Sequence, residues 1–141
     1  MFAVGRYNRG MGKRQISRNF SYRLIGNRLM KKFVVETLQI FPDEIIDKVS
    51  KNCWFISSYD ESWGFVLRGK EIKNSEYVVF LSEELFAESE AQIEYTIAHE
   101  IGHVLLGHRN SIGKVQTKKE IKKQEKEAHK FAIKYLNSLT R

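Results

Sequence analysis

Hydrophobic and polar residues first repeat with helical spacing along the chain, then form three short β-rich runs, and finally return to helical spacing. Helices are predicted over residues 33–40 and 43–49. They are separated at Pro42, which cannot continue the first helix and can start the second. The β-rich runs cover residues 53–57, 63–68 and 77–82, with turn-forming residues between them. Their close succession predicts an antiparallel meander.

The second half of the chain predicts two amphipathic helices. Ser89 is the expected N-cap of the first helix, and Gly107 or Gly113 marks its end. The charged stretch 114–126 leads into the second helix, whose apolar positions lie on one side. This order of elements predicts an α+β fold, in which a small antiparallel or mixed sheet packs on the two helices.

The first of these helices contains the run His99-Glu100-Ile101-Gly102-His103. At about 100° per residue, the two imidazoles lie roughly 40° apart and can reach one metal ion from adjacent turns. The apolar residues of the helix fall on the opposite side, so the helix has a core face and a metal face. Glu100 lies on the flank of the histidine pair, where it can act as general base on a metal-bound water.

A zinc site in a hydrolase usually has three protein ligands and an open position for water, so a further ligand is expected from another element. Glu125 borders the apolar stripe of the C-terminal helix whereas Glu127 faces outward, which makes Glu125 the predicted ligand. His108 falls in the apolar arc if the first helix continues unbroken, and is then a poor ligand. His129, one turn beyond Glu125, can orient a ligand, contact substrate or be an ordinary boundary histidine.

The same residues have ordinary structural interpretations. With four histidines in the chain, an H-E-x-x-H string arises by chance with a probability of roughly one in a hundred. Two histidines can simply belong to a polar helix face, and Glu125 can be a solvated carboxylate beside lysines. The second constellation on the C-terminal helix is what favours a metal site.

Two motifs together resemble a known family. The first is the run from Tyr95 to Leu106, and the second is Glu125-x-x-Ala128-x-x-Phe131-Ala132. They are similar to F-T-L-A-H-E-L-G-H-x-L-L-H and E-x-x-A-N-x-F-A, the patterns of the ImmA/IrrE family of small gluzincin metallopeptidases. The resemblance covers roughly residues 33–139. The chain departs from it at His129, where the family has Asn, and lacks the Met-Pro that follows the last helix.

The resemblance implies a zinc-dependent endopeptidase with a zincin-like fold. It implies that Zn²⁺ is bound by His99, His103 and Glu125, with Glu100 as the base. Members of the family often cleave or antagonise a helix-turn-helix repressor, so the resemblance also implies such a transcriptional repressor as a protein partner.

Two further parts of a peptidase site remain open in the sequence. The donor that stabilises the oxyanion has three candidates, His108, His129 and Tyr135, and Tyr135 suits the core equally well. The strand predicted over residues 77–82 is the candidate rim that pairs with an extended substrate. Its substrate-facing candidates are Tyr77, Val78, Val79, Phe80 and Leu81. An ordinary core strand is an equal interpretation.

Composition indicates one compact domain. A chain of 141 residues with 42% hydrophobic content can bury one core. The single cysteine, Cys53, excludes an internal disulfide and is expected to be a buried thiol. No apolar run approaches the roughly 20 residues of a membrane span, so we expect a cytoplasmic protein without a membrane partner. Gly102 is expected to permit close packing of a neighbouring element.

Charge is concentrated at the start of the chain. Residues 1–32 contain nine of the 24 Lys and Arg residues and no Asp or Glu, so the net charge of +7 arises there. Weak periodicity and several glycines argue against a rigid helix over most of this segment. We therefore divide the chain into a basic leader, 1–32, and a metallopeptidase domain, 33–141. The leader can bind nucleic acid, target the protein to an organelle or be a solvated arm.

Three functions remain open from the sequence. The first is a zinc endopeptidase, the second a nucleic-acid-associated module, and the third a catalytically silent zincin-fold scaffold with a regulatory role. Glu100 distinguishes the first from the third, because a scaffold has no need of a base beside the metal.

Overall fold

A computed structural model describes residues 10–58, 64–68, 77–108 and 116–138, with only the backbone at residues 58 and 64–68. The fold is α+β, as predicted. The helices are α1 (Lys13–Phe20), α2 (Arg28–Leu38), α3 (Asp43–Asn52), α4 (Glu90–Leu105) and α5 (Lys118–Asn137). The strands are β1 (Leu24–Ile25), β2 (Cys53–Ser58), β3 (Gly64–Arg68) and β4 (Tyr77–Ser82). Single 3-10 turns cover Ser21–Arg23 and Glu83–Ala87.

The basic segment contributes to the core. Ile16 and Phe20 of α1 and Met30 of α2 are completely buried. Ile16 and Phe20 lie four residues apart and therefore share one helix face. The expectation that most of this segment lacks a rigid helix is wrong for residues 13–20 and 28–32, which are helical although few apolar positions carry the periodicity. Residues 1–9 lie outside the described part of the chain.

The helix boundaries follow local capping. The Asn27 side chain accepts a hydrogen bond from the Met30 backbone N–H at 2.9 Å, so α2 begins at Arg28, before the predicted start. Pro42 occupies the N-cap position of α3, so this helix starts directly after it, as the sequence predicted. The Ser89 side chain caps α4 by accepting from Gln92 N–H at 3.1 Å, which confirms that prediction.

The sheet has the strand order β1-β2-β4-β3. β2 pairs with β4 in parallel, and β3 pairs with β4 antiparallel. The predicted antiparallel meander is therefore wrong, because β4 inserts between the two strands that precede it. The neighbours Val78 and Val79 are both buried, and they point to opposite faces, as expected for a central strand. Trp63, where the predicted strand began, lies outside the described residues.

The C-terminal helix packs closely on α4. A capping box starts α5: Thr117 and Glu120 exchange hydrogen bonds between side chain and backbone, each 3.0 Å long. Ala128 and Ala132 are completely buried. A Cβ added at Gly102 would lie 3.1 Å from Phe131 Cδ1 and 3.3 Å from the Ala128 carbonyl oxygen. The glycine thus permits the close approach that the sequence predicted.

Within the part of the chain that the structure describes, no helix has both the length and the apolar composition that crossing a membrane requires.

We predict that Gly102→Val destabilises the protein by about 1–3 kcal/mol, because the added methyl groups have no space between α4 and α5. The gain in helix propensity of Val over Gly is only a few tenths of a kcal/mol and does not offset that cost. Urea unfolding followed by circular dichroism measures the change. The control is Lys119→Val at an exposed position of α5, with an expected loss of a few tenths of a kcal/mol. Equal midpoints for the two variants would contradict the packing argument.

Candidate metal centre

The structure brings the three predicted ligand side chains together. His99 and His103 lie one turn apart on α4, and their ring centroids are 4.7 Å apart. On α5, the Glu125 carboxylate faces both rings, with one oxygen 3.4 Å from His99 Nε2 and the other 2.9 Å from His103 Nε2. Two imidazoles and a carboxylate from two packed helices thus converge on one point.

Glu100 lies on the other side of His99. Its Oε2 is 3.5 Å from His99 Nδ1, and the residue is only 5% exposed. One donor atom each from His99, Glu100 and His103 lie within 4.8 Å of one another, a grouping that can hold a metal ion. Both Nε2 atoms face Glu125, whereas Glu100 approaches His99 at its other ring nitrogen, Nδ1.

The two histidines have opposite electrostatic environments. The pKa of His103 is lowered to about 4, chiefly by burial; nearby Glu100 opposes this shift, and positive charge on His99 or His108 adds to it. Burial also opposes protonation of His99, but its hydrogen bond to Glu100 and the charges of Glu100 and Glu125 raise its pKa above the ordinary value. His103 is therefore a neutral nitrogen donor near pH 7.

Tyr95 belongs to this site, although sequence reasoning gave it no role. Its ring centroid lies 5.6 Å from that of His99, and its hydroxyl is 2.8 Å from His129 Nδ1. Burial, followed by the charges of Glu125 and Glu100, raises the pKa of the Tyr95 hydroxyl, which stays protonated at neutral pH. The available signal was its position four residues before His99, on the same helix face.

His129 and Tyr135, two of the residues predicted as candidate oxyanion donors, lie in different surroundings. His129 is exposed and is linked to the metal centre through Tyr95. The Tyr135 ring packs against Phe41 and Phe131, with centroid distances of 4.8 and 5.0 Å. Tyr135 therefore belongs to an aromatic cluster at the edge of the core.

His108 lies next to His103, contrary to the prediction for an unbroken helix. α4 ends at Leu105, and Gly107 has a positive φ of 74°, which reverses the chain. His108 Nδ1 then lies 3.0 Å from His103 Nδ1, and its Nε2 lies 2.8 Å from Glu127 Oε1. Glu127, which was predicted to face outward, is 43% exposed and also contacts His108. Gly113, the alternative helix end, lies outside the described residues.

The predicted substrate rim has no free edge. β4, which carries Tyr77–Leu81, is hydrogen-bonded to β2 on one side and to β3 on the other. Strand addition at β4 is therefore excluded, because its backbone groups are already paired on both sides. Among the described strands, the edge next to β4 is formed by β3, which contacts α4.

The chain matches the family model described as Peptidase U49 over residues 58–139, which is more than half of its length. The match covers α4 and α5 and indicates a peptidase family, whereas the finer resemblance to ImmA/IrrE rests on the motifs alone. No match was found among curated proteins, and none among solved structures.

We predict that the two histidines of the metal-free protein titrate in separate pH ranges. As pH falls, His103 should stay neutral until about pH 4. His99 should take up its proton at a higher pH than an ordinary histidine, whose pKa is about 6.5. NMR chemical shifts of the ring carbons, recorded with a chelator present, measure both transitions. Glu125→Gln should lower the pKa of His99, because one of the charges that raises it is removed.

The two histidines make the stability of the metal-free protein depend on pH in opposite directions. Because the pKa of His103 is lowered in the folded state, the free energy of unfolding should decrease as pH falls from about 6.5 toward about 4. The raised pKa of His99 gives stability that is full below about 6.5 and is lost as pH rises through the folded-state value. Titration of His103 near pH 6.5 would refute this description of the site.

Proposed function

Because the chain belongs to the Peptidase U49 family, we propose that it is a zinc-dependent endopeptidase with His99, His103 and Glu125 as ligands. The observation that carries the proposal is the contact of both histidine Nε2 atoms with the two oxygens of one carboxylate. These atoms come from separate helices, and two imidazoles with one carboxylate are a common ligand set of catalytic zinc.

The donor chemistry fits zinc better than magnesium or calcium. Imidazole nitrogens are typical zinc ligands, whereas the two lighter cations prefer oxygen donors. Zinc bound by His99, His103 and Glu125 would polarise the scissile carbonyl and lower the pKa of water in the site.

Glu100 acts as the general base in this proposal. Its carboxylate takes a proton from the attacking water while the water oxygen forms a bond to the carbonyl carbon. The carbon–nitrogen bond then breaks, and Glu100 returns the proton to the leaving amine. The position of Glu100, buried and 3.5 Å from His99 Nδ1, supports this role because it keeps the carboxylate beside the ligands.

Tyr95 is the donor that we propose for the developing oxyanion, in place of the earlier candidates Tyr135, His129 and His108. His129 would donate its Nδ1–H to the Tyr95 oxygen, which leaves the hydroxyl proton free to point at substrate. The 2.8 Å contact between the two residues supports this arrangement. The packing of Tyr135 between Phe41 and Phe131 favours a structural role for that ring.

An extended peptide is the proposed substrate, bound along β3. An edge strand supplies backbone hydrogen bonds whatever the peptide sequence, and β3 lies beside the helix that carries the histidines. The paired motifs also support a finer assignment to the ImmA/IrrE gluzincins with a zincin-like fold. That resemblance makes a helix-turn-helix repressor our first choice of natural substrate.

A second candidate function, binding to nucleic acid, is favoured by one surface feature. A cavity of about 450 Å³ between α1 and α2 is lined by Lys13, Ser17, Arg28, Lys31, Lys32, Val35 and Glu36. Glu36, the one acid in this lining, pairs with Lys13 at 3.0 Å. The excess of positive charge is complementary to a phosphate backbone.

We predict that Glu100→Gln retains one zinc per chain and loses peptidase activity by about 100-fold to 10,000-fold, because only the base is removed. Glu125→Ala should lose both zinc and activity. Native mass spectrometry measures zinc, and fragmentation of unfolded casein measures activity. The control, Glu83→Gln at an exposed position, should match the wild type in both. Unchanged turnover in Glu100→Gln would exclude it as the base, and full zinc in Glu125→Ala would exclude that ligand.

We predict that Lys31→Glu with Lys32→Glu weakens binding to a 20-base-pair DNA duplex at least tenfold at low salt, because the charge of two side chains that would contact phosphates is reversed. Fluorescence anisotropy measures the affinity. The matched control, Lys122→Glu with Lys123→Glu, reverses the charge of two exposed lysines of α5 and should bind DNA like the wild type. Deletion of residues 1–32 is unsuitable, because it removes Ile16, Phe20 and Met30 from the core. Equal loss in both double variants would reject the cavity as the binding surface.

A further inference from the structure

Two buried or partly buried polar residues near the metal centre have no role in the chemistry proposed above. His108, 8% exposed, has its Nδ1 atom 3.0 Å from His103 Nδ1. Its other nitrogen, Nε2, is 2.8 Å from Glu127 Oε1. The three side chains form a continuous hydrogen-bonded chain from the surface of α5 to the ring of His103.

Glu127, at the surface end of these hydrogen bonds, fixes which atom donates and which accepts in each of them. An ionised carboxylate can only accept hydrogen bonds, so His108 donates Nε2–H to Glu127. A neutral imidazole has one N–H, which leaves His108 Nδ1 as the acceptor for Nδ1–H of His103. His103 Nε2 is then without a proton, so its 2.9 Å contact with Glu125 brings a lone pair and a carboxylate oxygen together, which is favourable only with a cation between them.

The end of α4 builds this contact. Continued helix would carry His108 to the side opposite the metal. Instead, Gly107 has a φ of 74°, and the His108 backbone N–H donates to the His103 carbonyl at 2.9 Å. This reversal returns the His108 side chain to the ring one turn earlier.

We propose that His108 and Glu127 are positioning residues that hold His103 in the Nδ1–H tautomer and thereby raise the zinc affinity of the centre. The inference rests on the proposed ligand set. α5 then contacts His103 at both nitrogens, directly through Glu125 and indirectly through Glu127 and His108. Partners of this kind orient ligand histidines and increase their basicity, and their loss typically costs 10-fold to 100-fold in metal affinity.

The test uses Glu127, whose side chain is 43% exposed, so its replacement leaves the core intact. We expect Glu127→Ala to weaken zinc binding about 10-fold to 100-fold, measured by competition with a fluorescent chelator. Glu127→Gln keeps an acceptor oxygen but loses the charge, and should bind zinc more tightly than Glu127→Ala. The second readout is the nitrogen NMR spectrum of His103 in the metal-free protein, in which Glu127→Ala should reduce the Nδ1–H tautomer.

Zinc affinity and the NMR spectrum test the ligand set and the positioning role separately. A wild-type protein that binds no zinc would reject the ligand set, while the NMR spectrum would still test the tautomer. Wild-type affinity in Glu127→Ala would overturn the positioning role and leave the ligand set standing. Equal losses in the Ala and Gln variants, with an unchanged tautomer, would also overturn it, because charge alone would then explain the effect. An exposed-site control on the same helix, Lys130→Ala, should match the wild type in both readouts.

Discussion

The close contact between α4 and α5 is the constraint on which the candidate centre depends. His99 and His103 belong to one helix, and the carboxylate that faces them belongs to the other. The helices approach closely because Gly102 has no side chain and Ala128 has a small one. A larger residue at either position would separate the helices by a few tenths of an ångström or more, a large displacement relative to the precision that a metal site requires.

The same contact explains the electrostatics. Acidic groups surround His99, so their attraction outweighs the effect of burial on its pKa. His103 has imidazoles on both sides, so a proton there would meet burial and neighbouring positive charge together. Two histidines four residues apart on one helix thus have pKa values shifted in opposite directions, because the attraction of acidic groups outweighs burial at His99 but not at His103.

Local signals predicted the parts of the fold that depend on short-range chemistry. Ser89 and Pro42 mark helix starts through their own hydrogen bonding and backbone geometry, and the H-E-x-x-H spacing brings two imidazoles to one face in any helix. The pairing of strands was not predictable in this way. β4 pairs with β2 across the sequence gap that contains β3, and nothing in three short apolar runs decides which of them is central.

The position of His108 could not be predicted for a related reason. Helical periodicity assumes that the helix continues, whereas a single left-handed residue, Gly107, ends that geometry. The contribution of α1 to the core was missed because only Ile16 and Phe20 carry its apolar face among many basic and polar residues. In both cases one or two residues overrode the average property of the surrounding segment.

The capping box of α5 fixes the start of this helix locally, so the geometry of the candidate centre does not depend on the segment that precedes the helix. Thr117 and Glu120 satisfy the first backbone groups of α5 locally, so the helix begins there without help from preceding residues. Glu125 and Glu127 lie about two turns further on, beyond the reach of end fraying. The positions of these two carboxylates along α5 are accordingly set by the helix itself, from its capped first turn onward.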